Sequence, residues 1–174
     1  MNREDYPLDE CLELTRKNGI IDAMSYIYER LGSKKEALDL LVDLIRKKCD
    51  TYQIQLKNGE RIARYDFNEM DNKFNAALSL CLRNSSQLDE AENEELWFCL
   101  LDQTLHGHSQ FSPFFNKQSE LEVNINGIIK RVIEGMMDTV DFNSMIAHIA
   151  HGFGELPIEN FRKNFEDVLF RYGY

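Results

Sequence analysis

Ser33-Lys-Lys-Glu-Ala-Leu-Asp-Leu-Leu-Val-Asp-Leu-Ile-Arg-Lys-Lys-Cys-Asp-Thr-Tyr-Gln-Ile-Gln-Leu-Lys-Asn-Gly59 is the stretch on which the fold turns. Its apolar positions Leu38, Leu41, Ile45, Cys49, Tyr52 and Leu56 recur every three or four residues, the spacing that lines one face of an α-helix. Its end supports a second reading. Tyr52, Ile54 and Leu56 alternate in front of Asn58-Gly59, and an Asn-Gly pair behind alternating apolar residues is a strong sign of a β-hairpin. A glycine just past a helix also closes it, by adopting the left-handed backbone. The 45, 49, 52, 56 spacing favours a long helix, and residues 59–66 then form a loop.

The same period runs outward in both directions. Pro7 suits the first turn of a helix carrying Leu8, Cys11, Leu12 and Leu14, which Asn18-Gly19 stops. Ile20, Ile21, Met24, Ile27 and Leu31 make a second stripe closed by Gly32. Phe67, Met70, Phe74, Ala77, Leu78 and Cys81 mark a fourth helix, and Leu96, Trp97, Leu100, Leu101 and Leu105 a fifth. Three Ser/Asp-x-x-Glu pairs read as capping boxes at helix starts: Ser33/Glu36, Asp89/Glu92 and Ser119/Glu122. Residues 106–118 read as the longest loop. Leu121, Ile125, Ile128, Ile129, Val132, Ile133, Met136 and Met137 form an apolar stripe wide enough for a helix packed on two sides. Asp141 is placed to cap a seventh helix with Met145, Ile146 and Ile149. Pro157 opens an eighth, with Ile158, Phe161, Phe165, Val168, Leu169 and Tyr172.

The fold class is therefore all-α. Helices joined by a few residues pack as antiparallel hairpins. The alternation of short and long helices favours an irregular α-solenoid of about eight helices over a symmetric bundle, and no fixed sequence period survives. We read residues 1–174 as one such segment, with a weak sub-boundary at 57–66.

Composition narrows function. The chain has 174 residues, 43% of them hydrophobic and 29% charged, which suits one packed domain. Twenty basic against thirty acidic residues give a formal charge of −10, which repels nucleic acid and anionic lipid. The basic run Arg46-Lys47-Lys48 fits a solvated helix face. Cys11, Cys49, Cys81 and Cys99 lie far apart, without metal-ligand spacing, and read as reduced thiols in helical stripes. No stretch is apolar and long enough for a transmembrane helix, and the start lacks a signal-peptide pattern. The expectation is a soluble, cytoplasmic protein without membrane insertion.

No catalytic constellation stands out. His106-x-His108 and the pair His148/His151 lack a third metal ligand at motif spacing. Asp138 and Asp141 bracket a turn, and the acidic run Asp89 to Glu95 suits a helix N-terminus. No phosphate loop or nucleophile motif occurs. We expect no enzyme, cofactor, metal or small-molecule substrate. Trp97 is expected to be buried. The aromatic loop Phe111, Phe114 and Phe115 either folds back over the core or is an exposed patch for a partner, and Phe170, Tyr172 and Tyr174 are candidate contacts at the far end.

Two blocks carry a family resemblance. Asp22-Ala-Met-Ser-Tyr-Ile-Tyr-Glu-Arg-Leu-Gly-Ser-Lys-Lys-Glu-Ala-Leu-Asp-Leu-Leu, with the preceding Tyr6-Pro-Leu-Asp-Glu-Cys-Leu-Glu-Leu, resembles a clathrin-heavy-chain-type repeat of vacuolar sorting tethers. Leu80-Cys-Leu-Arg-Asn-Ser-Ser-Gln-Leu with Glu95-Leu-Trp-Phe-Cys-Leu-Leu-Asp resembles a helix pair of the vacuolar protein sorting-associated protein 8 family, the subunit type specific to the CORVET tether. Gly135-Met-Met-Asp-Thr-Val-Asp-Phe is similar to the segment leading to that family's C-terminal RING domain. The family's RING cysteines and N-terminal β-propeller are absent, so the chain resembles a C-terminal solenoid fragment of the family or a shortened member of it. It implies packing roles for Gly32, Ala37, Trp97, Phe98 and Leu101. It also implies a scaffold that docks early endosomal vesicles before fusion, with other tethering subunits as partners, notably the RING-bearing class C core subunit. The alternative is an unrelated all-α adaptor or regulatory domain.

Overall fold

A computed structural model describes residues 7–153. Seven α-helices follow one another among them: α1 (Leu8–Lys17), α2 (Ile21–Arg30), α3 (Lys34–Lys57), α4 (Arg64–Asn84), α5 (Glu90–Phe111), α6 (Ser119–Met137) and α7 (Phe142–Phe153). The described residues contain no strand. The helix expected from Pro157, and with it Phe170, Tyr172 and Tyr174, lies outside the described residues.

The helical reading of 33–59 holds, and side-chain exposure explains why. A strand would send Tyr52, Ile54 and Leu56 to one face. Tyr52 and Leu56 are instead 5% and 6% exposed while Ile54 is 59% exposed, as a turn of 3.6 residues requires. Gly59, at φ +83°, then reverses the chain. Its N–H donates to the Leu56 carbonyl, and the Glu60 N–H to that of Gln55, both at 3.0 Å. These two bonds are the Schellman closure, which a left-handed residue makes possible.

Two loops are shorter than the sequence implies. α4 starts at Arg64 rather than Phe67, after an extended Ala63. The expected loop 106–118 is mostly helical: α5 runs on to Phe111, and a 3₁₀ turn covers Ser112–Lys117. Leu101, Leu105, His108, Phe111 and Phe115 form one buried stripe at spacings of three and four, and this stripe carries the helix through the Gly and His residues.

Only one of the three expected capping boxes forms. Asp89 is extended (ψ 170°), so its carboxylate accepts from the Glu92 N–H at 2.9 Å while Glu92 reaches back to the Asp89 N–H. Ser33 has ψ 66°, and the residue before α6 is Gln118 with ψ 81°. Neither backbone carries a side-chain oxygen over the first turn, and Ser119 falls inside the helix. At α7, Asp141 caps as expected, accepting from the Ser144 N–H at 2.9 Å.

Side-chain pairs fix the helix directions. Between α3 and α4, Cys49 meets Met70 and, one turn on, Tyr52 meets the Asp66 carbonyl, so one helix advances as the other retreats. Between α3 and α5, Lys35 meets Glu95, Asp39 meets Cys99, Arg46 meets Gln103 and Asp50 meets Gln110, so these two advance together. The same holds for α2 with α4 (Asp22 with Lys73, Glu29 with Arg83) and for α5 with α7 (Asn93 with the Thr139 carbonyl just before α7, then Asp102 with His148). α1 to α5 each pack on the helix that follows, and α3·α5, α4·α6 and α5·α7 also pack. The core lies between α3, α4, α5 and α6, with α6 meeting both α4 and α5 as its wide stripe implies.

Candidate interaction surface

The residues that carry the family resemblance converge in the fold. Arg83 donates to Glu29 through Nε (3.2 Å) and Nη2 (2.8 Å), and Asn84 Nδ2 donates to the same carboxylate at 2.8 Å. Asn84 also closes back on the Leu80 carbonyl. Burial raises the Glu29 carboxyl, but the bonds from Arg83 and Asn84 and the nearby positive charge outweigh it and hold Glu29 below the usual range. The next residue, Ser85, accepts from Trp97 Nε1 at 3.0 Å. Trp97 is fully buried, as expected, and its ring lies against Gly135, where an added Cβ would sit 2.7 Å from Cη2. Glu29 on α2, Arg83 and Asn84 on α4, Trp97 on α5 and Gly135 on α6 thus form one continuous junction.

The packing roles implied for Ala37 and Leu101 agree with their complete burial, and Phe98 is partly buried against the core. The aromatic patch is different. Phe111 and Phe115 are 0% and 6% exposed, so they do not form an exposed patch, and Phe114 is half-buried against the core. Phe115 meets His108 edge-on at 5.3 Å. Burial pushes the His108 imidazole pKa down, with Glu122 opposing.

The histidine pairs separate as well. His106 is exposed while His108 is buried. His148 bonds Asp102 Oδ1 through Nε2 at 2.7 Å and stacks on Phe98, with centroids 4.1 Å apart and planes 5° from parallel. Among the described residues, no three His, Cys, Asp or Glu side chains gather as a metal site. Burial raises the thiol pKa of Cys49 and Cys81 to about 12 and that of Cys99 to about 11, far from the reactive thiolate.

A groove of about 970 Å³ lies where α3, α5 and α7 meet. Leu38, Val42, Leu96 and Phe98 contribute its apolar floor, and Asp39, Glu94, Glu95 and Asp102 bring carboxylates to it. Lys35 and Arg46 line it too, with His106, His148 and His151. The sequence singled out none of these as a site. The signal was present only as two acidic faces on helices separated by some sixty residues.

The chain is similar to the mouse (Mus musculus) vacuolar protein sorting-associated protein 8 homolog. The two are 26% identical over 99 residues, which is 57% of this chain and 7% of the mouse protein. No family profile matches the chain, and no solved structure matches it. The chain therefore spans a small fraction of the relative's length. No helix among the described residues is long and apolar enough to cross a membrane.

Proposed function

We propose that this chain is a slice of irregular α-solenoid acting as a non-enzymatic scaffold within an endosomal tethering subunit, in vesicle docking and fusion. The observation that carries the reading is the likeness to the mouse vacuolar protein sorting-associated protein 8 homolog. The helix packing supports it. α1 to α5 each pack on the next helix, and α3, α4 and α5 each also pack on the next but one, so successive hairpins stack and leave rows of helix surface for other subunits. The junction from Glu29 to Gly135 is a device for joining hairpins, which is what a mechanical spacer needs.

On this reading the partners are other tethering-complex subunits, notably the RING-bearing class C core subunit. The chain sits peripherally on early endosomal membranes as part of the complex, and it uses no cofactor, metal or small-molecule substrate. The test is co-expression of the tagged full chain with that core subunit, followed by purification at physiological salt. Recovery of a stable complex supports the proposal; a chain that elutes alone, folded and monodisperse, overturns it. Deleting residues 157–174 in the same assay tests Phe170, Tyr172 and Tyr174 as contacts, which fails if the deletion leaves recovery unchanged.

A further inference from the structure

We propose that the groove between α3, α5 and α7 docks a basic, amphipathic segment of a partner protein. The proposal rests on reading the chain as an interaction scaffold and names the surface that does the binding.

The groove's dimensions fit such a segment. Its lining runs from Lys35 to Arg46 along α3 and from Ala91 to His106 along α5. At the rise of an α-helix these spans are about 16 and about 22 Å, room for three or four turns of a docked helix. The parallel course of α3 and α5 keeps the trough straight, and the end of α7, with His148 and Gly152, walls one side. Leu38, Val42 and Leu96 close the floor from within the core, at 1%, 3% and 4% exposure, and the partly buried Phe98, stacked on His148, is the seat for an apolar anchor.

Charge selects the occupant. Of the four carboxylates, Glu95 is engaged by Lys35 and Asp102 by His148, while Arg46 is engaged by Asp43 and Gln103. Asp39 receives only the weak thiol donor of Cys99, at 3.8 Å. Glu94 has no ion pair or hydrogen bond among the described residues. The uncommitted charge in the groove is negative, so it attracts lysine and arginine and repels phosphate, nucleic acid and acidic peptides.

A buried amide points to a peptide in particular. Gln103 is 4% exposed and lines the groove. Its Oε1 accepts from Arg46 Nε at 3.3 Å, which fixes the orientation of the amide, and its Nε2 has no acceptor among the described residues. A buried N–H left without a partner is costly, and a backbone carbonyl would satisfy it. A metal ion or an amine supplies no acceptor, whereas a polypeptide lying in the trough supplies one at every residue.

The experiment uses the full chain and a fluorescein-labelled helical peptide of about 18 residues, with leucine at i, i+3, i+4 and i+7 and lysine or arginine on the opposite face. A scrambled peptide of the same composition and an acidic version with glutamate replacing the basic residues serve as controls. The patterned basic peptide should bind best. Asp39→Lys with Glu94→Lys should weaken it about tenfold, as expected for two reversed rim charges. Gln103→Met, with its fold checked by circular dichroism, should weaken it further, while Asp9→Lys with Glu10→Lys on α1 should not. Equal binding of the scrambled peptide, or equal loss from the α1 reversal, would mean diffuse attraction to an acidic chain and would overturn the proposal. Preference for the acidic peptide would overturn it too. The same variants belong in the co-purification with the core subunit. If wild type and the Asp39/Glu94 double reversal recover it equally, the groove assignment fails and the scaffold reading stands. If wild type binds the peptide but recovers no subunit, the scaffold reading fails instead.

Discussion

Gly135→Ala is a one-carbon change whose outcome follows from the junction around Trp97. Gly135 lies within α6 and has no positive φ, so alanine is sterically allowed on the backbone. In an open helix the change would stabilise by about 1 kcal/mol through helix propensity. Here the new Cβ would meet Trp97 Cη2 at 2.7 Å, Trp97 Cζ3 at 3.2 Å and Leu78 Cδ1 at 3.2 Å. Leu78 can change rotamer. The indole cannot move as freely, because it is fully buried and its Nε1 is held by Ser85 Oγ at 3.0 Å. Overpacking costs about 1–3 kcal/mol, and a 2.7 Å clash with a fixed ring falls in the upper part of that range, about 2–3 kcal/mol, so after the propensity gain the variant should be about 1–2 kcal/mol less stable.

Urea unfolding followed by circular dichroism and by fluorescence of the single tryptophan measures this directly. The second arm uses Trp97→Phe, which removes the ring atoms that collide. In that background Gly135→Ala should be neutral or stabilising, so the sign of its effect reverses between the two backgrounds. Gly135→Ala as stable as wild type, or equally destabilising in both backgrounds, would refute the packing argument.

The remaining predictions concern ionisation and reactivity. The Glu29 carboxyl is held below its ordinary 4.5, so its contribution is present above that pH and lost as pH falls toward the folded value; Glu29→Gln should flatten the acid limb of stability below about pH 4.5. The His108 pKa is held below its ordinary 6.5, so below pH 6.5 the unfolded chain takes up a proton that the fold resists, and stability falls. His108→Gln should remove that part of the slope, visible as urea midpoints that no longer decline between pH 7 and pH 5.5. Maleimide at pH 7.5 should modify half-exposed Cys11 well before Cys49, Cys81 or Cys99, as peptide mapping would record; Cys81 reacting as fast as Cys11 would contradict its burial.

How much of this was legible in the sequence depends on which interactions are local. α3 was readable because its apolar residues repeat within one element, and it is closed by local bonds, from Gly59 to the carbonyl three residues back and from Glu60 to the one five back. Capping boxes are also local, yet only Asp89 delivers one. The motif records the side chains and leaves out the ψ angle of the capping residue, which the preceding turn sets at Ser33 and Gln118. The stretch 106–118 looked like a loop because Gly107 and Pro113 are turn residues, while the Leu105, His108, Phe111, Phe115 spacing already described a buried face. The groove was not legible. Asp39 and Glu94 look like ordinary solvated positions until two helices lie parallel, and Gln103 is unremarkable until its amide is buried.

The missing sequence repeat has a geometric cause with a consequence for function. Lys35 to Glu95, Asp39 to Cys99, Asp50 to Gln110 and Asp71 to Arg131 are each sixty residues apart, so the hairpin α3/α4 stacks on α5/α6 with a steady offset. The offset is 51 at Asp22 to Lys73 and 54 at Glu29 to Arg83, and it falls to 46 at Asp102 to His148. The stacking scheme persists while the helix lengths change, so no period is imposed on the sequence. What recurs is the need to lock one hairpin to the next, and Glu29, Arg83, Asn84, Ser85, Trp97 and Gly135 meet it. These are the residues that make the chain resemble a tethering family, and they are engaged in packing and hydrogen bonds between hairpins. Substituting them should act on stability. Binding should respond instead to residues that no motif marks, on the faces that the stacked hairpins leave open, with Asp39 and Glu94 the first to change.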